Sequence, residues 1–115
     1  MAYDEQLTHR FRCAVEGMAG ISEKPMMGAV CFFLDGNMLG CASRQKSGEG
    51  RFLFRVGKDN QAEALRQPAA RMMDQGGRPM RGFVYVEEEA CDADALKQWI
   101  GLALSFVATL PAKPQ

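Results

Sequence analysis

Apolar and polar positions alternate with two different periods along this 115-residue chain. Between residues 4 and 18, Leu7, Phe11, Ala14 or Val15, and Met18 recur at helical spacing, and Asp4 and Glu5 supply negative charge to a first turn. Gly17 and Gly20 end that predicted helix. Ser22 to Pro25 reads as a turn, and Met26 to Leu34 as a buried strand too short for a helix. Asp35-Gly36-Asn37 predicts a hairpin loop, with Met38 to Ala42 returning as the partner. Residues 43 to 50 are a polar loop. Phe52, Phe54 and Val56 then alternate with Arg51, Leu53 and Arg55, the pattern of a strand with one core face and one wetted face. A short helix over Gln61 to Arg66, a brief strand at Arg71 to Met73, a turn from Asp74 to Pro79 and a strand from Met80 to Val86 follow. Asp92 or Asp94 caps a long helix whose stripe comprises Leu96, Trp99, Ile100, Ala103, Leu104, Val107 and Leu110, and Pro111 ends it.

The predicted order is α-βββ-α-ββ-α. Hairpins imply antiparallel pairing, and two apolar helix faces need a sheet to cover. The expectation is an α+β, two-layer domain with a five-stranded antiparallel sheet spanning residues 1–115. A chain of this length buries roughly 65% of its unfolded surface, enough for one core without metals or disulfides. Apolar residues at 47% and charged residues at 24% are those of an ordered globular protein. No apolar run is long enough to span a membrane, and the first residues lack a secretory pattern, so a cytoplasmic location is expected.

The inventory of reactive groups removes most chemistry. A single histidine, His9, excludes multi-histidine metal sites. Cys13, Cys31, Cys41 and Cys91 form no CxxC. His9 and Cys13 share a helix face at i, i+4, and read as an edge histidine beside a core-facing cysteine rather than a catalytic pair. With a three-residue loop, Leu34 faces Met38 and Cys31 faces Cys41. These two cysteines are either small buried hydrophobes or thiols within disulfide range. The glycines build no phosphate-binding loop, Gly76-Gly77-Arg78-Pro79 reads as a turn, and Glu87-Glu88-Glu89 as a solvated strand end. No catalytic constellation, metal site or cofactor is predicted.

Zero net charge hides an uneven distribution. Residues 1–43 carry −2, residues 44–81 carry +5 and residues 82–115 carry −3. In a two-layer fold, Arg51, Leu53 and Arg55 lie on the sheet face that no helix covers, together with either Phe83 and Tyr85 or Val84 and Val86. Arginine mixed with apolar groups on such a face suits a protein partner. It suits single-stranded nucleic acid as the alternative.

Several stretches resemble the N-terminal domain family of the TfoX/Sxy competence regulators. They include Met1-Ala2-Tyr3-Asp4-Glu5 at a helix start and Glu23-Lys24-Pro25-Met26-Met27-Gly28-Ala29-Val30-Cys31-Phe32 entering a hairpin. Met27 stands where the family has Phe, and Ala29 where it has a second Gly. Leu53-Phe54-Arg55-Val56-Gly57 and Gly77-Arg78-Pro79-Met80-Arg81-Gly82-Phe83-Val84-Tyr85-Val86 follow the family pattern, as does the final helix through Thr109-Leu110-Pro111. The resemblance implies a two-layer fold and no catalytic residues. Two-domain members resemble coactivators of natural-competence genes that act with the cyclic-AMP receptor protein at promoters; with the sequence ending at Gln115, a stand-alone first domain without their helical second domain is expected. The expectation is a non-enzymatic bacterial regulatory module working through protein–protein contact. Its surface would centre on Arg51, Leu53, Arg55, Arg78 and Arg81. The partner would be a transcription regulator or a second copy of the chain, with nucleic-acid binding through residues 44–81 as the alternative and no membrane role.

Overall fold

A computed structural model describes residues 4–26, 28–75 and 78–113, with the side chains of residues 73–79 left out of the description. Helix α1 runs from Glu5 to Ala14, and the Asp4 carboxylate caps it by accepting from the Leu7 amide at 2.9 Å. Leu7 and Phe11 point inward, and Val15 is buried just past the last turn. Gly17 and Gly20 then turn the chain at positive φ. Met18 lies outside the helix and is 38% exposed, so it is not the core residue its spacing predicts.

Among the described residues six strands follow, one more than the sequence pattern predicts: β1 (Ile21–Met26), β2 (Ala29–Leu34), β3 (Asn37–Arg44), β4 (Gly50–Arg55), β5 (Ala70–Gln75) and β6 (Arg78–Glu87). Their order across the sheet is β1-β2-β3-β4-β6-β5, and every neighbouring pair is antiparallel. The overlooked strand is β1, whose residues 22–25 read as turn and whose Met26 reads as the start of the following strand. As an edge strand it is mostly exposed and carries Ser22, Glu23, Lys24 and Pro25, so it has no apolar alternation to betray it. Backbone pairing to β2 defines it, and charge and proline are tolerated at an edge. The predicted turn over Asp74 to Pro79 is also too long. Asp74 pairs with Pro79 and Gln75 with Arg78, and residues 76–77 of the predicted turn lie outside the described residues.

The β2–β3 hairpin closes with two residues rather than three. Asp35 at φ 50° and Gly36 at φ 83° form the turn, and Leu34 pairs with Asn37. Positive φ at both central positions is the conformation that matches strand twist, and Asp-Gly suits it. The register then shifts at Phe32/Phe33 opposite Leu39, and the extra residue restores the pairing of Cys31 with Cys41.

Helix α2 spans Lys58–Ala64, earlier in the chain than the periodicity suggests, and packs against β6. A 3-10 turn at Glu88–Ala90 leads into α3 (Ala93–Val107). Asp92, not Asp94, caps α3 by accepting from the Ala95 amide at 2.8 Å. Helices α1 and α3 lie side by side on the face of β3 and β4. Between the layers, Phe11 stacks on Phe32 with ring centroids 4.3 Å apart, and Phe54 stacks on Trp99 at 5.8 Å. Phe32, Phe52, Phe54, Val84 and Val86 are fully buried there. Arg10 lies 5.0 Å over the Phe52 ring and donates to the carbonyl of Cys91. Burial pushes the Cys91 thiol up to about 11, leaving it an inert core group.

Candidate functional site: the helix-free sheet face

Strand alternation sends Val84 and Val86 to the core, so Phe83 and Tyr85 are the pair on the uncovered side. The registers align one row across that face: Lys24, Cys31, Cys41, Leu53, Tyr85 and Arg71, one residue from each strand. In the next row Ser43, Arg51 and Glu87 stand side by side. Arg51, Leu53, Arg55, Phe83 and Tyr85 are all half-buried, intermediate between core and open surface. The Arg51 guanidinium lies 4.5 Å from the centroid of the Tyr85 ring, a cation–π contact worth about 0.5–1 kcal/mol at an exposed site. This arrangement holds the arginine flat against the sheet while its donors remain available.

At one end of the same face, Arg55 pairs with Phe83 and places its guanidinium 5.5 Å from the Phe106 centroid of α3. There Arg55, Lys58, Asp59, Arg81, Phe83 and Phe106 surround an open cleft of about 220 Å³. Its floor is Gly57 and Gly82, both at φ 87°. A Cβ on Gly57 would lie 2.6 Å from the Phe106 ring, so the close packing of strand end against helix requires glycine. The Gln61 side chain accepts from the Gly82 amide, tying α2 to this corner.

The structure therefore brings Arg51, Leu53 and Arg55 onto one face and sets Arg81 beside Arg55 across the cleft. Arg78 begins β6, and its side chain lies outside the described residues. Sequence reasoning missed Lys58 and Phe106. Phe106 falls off the buried stripe of α3, and only Gly57 before α2 and Gly82 within β6 hint at a contact there.

Other candidates resolve differently. Arg44 belongs to the +5 segment but is occupied, donating to Asp4 at 2.6 Å and to Glu88 at 3.0 Å. Asp4 in turn is held below its ordinary pKa by the Leu7 amide and then by Arg44. Cys13 is exposed on the outer side of α1, not turned to the core as its reading predicts; its Sγ lies 3.4 Å from His9 Nε2. Phe11 and Leu7 take the inward positions, which leaves the His9–Cys13 row to solvent. Glu88 of the acidic run pairs with Arg44, as a strand-end carboxylate would. Among the described residues, no group of three His, Cys, Asp or Glu side chains could hold a metal ion, and no helix is long and apolar enough to cross a membrane.

Fold and face together define an α+β domain with helices on one side of an antiparallel sheet and an arginine-aromatic surface on the other. The family model for the TfoX N-terminal domain matches residues 14–107, and the chain belongs to that family. Comparison with curated proteins gives no match, and neither does comparison with solved structures.

Proposed function

We propose that this domain is a non-enzymatic regulatory module that works by docking a protein partner on its helix-free sheet face. The observation that carries the reading is the patch formed by Arg51, Leu53, Arg55, Phe83 and Tyr85. Two arginines lie against aromatic rings, with an apolar residue between them; Phe106 of α3 reaches only the Arg55 end, and α1 and α3 pack on the opposite face of the sheet. Aromatic residues and arginine are the types enriched at interface centres, where their large area is buried at little entropic cost. The partner's matching surface would be apolar with a few carboxylates. Membership in the TfoX N-terminal family supports a role in transcription regulation, and a regulator of transcription is the partner class proposed.

Affinity capture of the tagged protein from its own cell lysate tests this, with mass spectrometry at low and moderate salt. A regulator or polymerase subunit retained after nuclease treatment supports the reading. Capture that vanishes with nuclease, or affinity for single-stranded DNA that falls steeply with salt, would instead assign the +5 segment to nucleic acid. Recovery of the chain alone would make the face a dimer surface.

A further inference from the structure

Cys31 and Cys41 sit opposite each other on β2 and β3, in the middle of the helix-free face, with their Sγ atoms 2.7 Å apart. Both are free thiols and both are buried, 3% and 6% exposed, between Lys24 and Leu53 in the same row. Two features separate this pair from ordinary core cysteines. Directly paired residues on antiparallel strands have Cα atoms about 4.5–5.5 Å apart, inside the range a disulfide spans. The sulfurs need only close from 2.7 Å to the roughly 2.05 Å of an S–S bond. The same distance argues against a metal. Two thiolates bound to one tetrahedral zinc at about 2.3 Å stand roughly 3.8 Å apart, so no ion fits between sulfurs this close.

We propose that Cys31 and Cys41 are a modification site at which a hydroperoxide closes a cross-strand disulfide on the folded domain. This inference is independent of which partner the sheet face binds. The thiol of Cys31 is drawn below its ordinary value by a hydrogen bond from Cys41, while that same bond and then burial push Cys41 up. We take Cys31 as the first nucleophile, the thiolate being the reactive form, and the balance is the same with the two cysteines exchanged. Its thiolate attacks one oxygen of hydrogen peroxide, forming a sulfenic acid and releasing hydroxide, which takes up the proton lost from the thiol. The Cys41 sulfur then attacks the Cys31 sulfur, and the sulfenic oxygen leaves as water with the Cys41 proton. Two thiols and one peroxide give one disulfide and two waters, with two electrons passing from sulfur to oxygen. Both sulfurs lie beneath the sheet face opposite α1 and α3, so neighbouring side chains, and no helix, stand between them and peroxide, and the other two cysteines are far less suited. Cys91 is enclosed in the core, and Cys13 is exposed on α1 with His9, not a second cysteine, as its neighbour.

The test is differential labelling of the folded protein after hydrogen peroxide. Free thiols are alkylated in denaturant with one reagent; the protein is then reduced and labelled with a second. The expected result is the first label on Cys13 and Cys91 and the second on Cys31 and Cys41, with an intact mass lower by two hydrogens before reduction. Closure in the folded protein should also run at least about tenfold faster than in the urea-unfolded chain, because the fold holds the sulfurs together. The first label on all four cysteines, or the second label on a pair that includes Cys13 or Cys91, overturns the proposal. So does a folded rate equal to or below the unfolded one.

Discussion

Asp4 does two jobs with one carboxylate: it caps α1 through the Leu7 amide and receives the Arg44 guanidinium at 2.6 Å. Its lowered pKa fixes the sign of its pH dependence. The stabilisation is complete above the ordinary value of 3.8 and is lost as the pH falls through and below it toward the folded value. Asp4→Asn keeps a good capping group but removes the charge. Urea unfolding should therefore show wild type ahead by about 1 kcal/mol near neutral pH, with the gap closing in acid. A gap that stays constant with pH would mean the ion pair contributes nothing. At the centre of the core, Phe11 is fully buried and stacks on Phe32. Phe11→Ala should cost about 3–5 kcal/mol by the same measurement, because the cavity lies between two rigid layers. Phe11 and the alternation of Phe52, Phe54 and Val56 are legible in the sequence because burial imposes their period. Phe106 and Lys58 are not, because a cleft at the corner of a sheet joins residues with no shared periodicity.

Among the elements, those defined by side-chain burial are the ones their sequences reveal. Helix α3 starts where the pattern places it, capped by Asp92, but ends at Val107, so Leu110 of the expected stripe lies beyond it. Strand β1 does not announce itself, because an exposed edge held by backbone hydrogen bonds has no hydrophobic signature. The β2–β3 hairpin shows a subtler case. A three-residue loop and a two-residue turn with a bulge both set Cys31 against Cys41, so the cysteine pairing is readable although the loop is not. The turn itself makes a prediction. Gly36 has φ 83°, and a Cβ there would fall 2.9 Å from the Lys113 side chain and closer still to the Lys113 carbonyl. Gly36→Ala should therefore destabilise the hairpin by about 1–3 kcal/mol. Hydrogen exchange should show the loss concentrated in β2 and β3; uniform loss across the sheet would contradict a local cause.

Across the whole molecule, the separation into a covered and an uncovered sheet face is what the charge distribution reflects. The +5 segment supplies β4 and the charged residues of the cleft, and the acidic segments supply caps and ion pairs at the periphery. Of the site residues named from sequence, Arg51, Leu53 and Arg55 share a face because strand parity requires it, and Arg81 joins them through the Gly57–Gly82 contact. In the proposed function this face binds a protein. Charge reversal at Arg51 would set a carboxylate opposite Glu87 and disturb the strand pair, so neutralisation is the cleaner probe. The most direct measurement is the affinity of a captured, purified partner for wild type and for the Arg51→Gln/Arg55→Gln variant, alongside the melting temperature of each. We expect at least about a tenfold loss of affinity, which corresponds to about 1.4 kcal/mol, with both proteins folded and a fall in melting temperature no larger than the roughly 5–10 °C that loss of the two cation–π contacts accounts for. Equal affinity for the two proteins, with both folded, would contradict it.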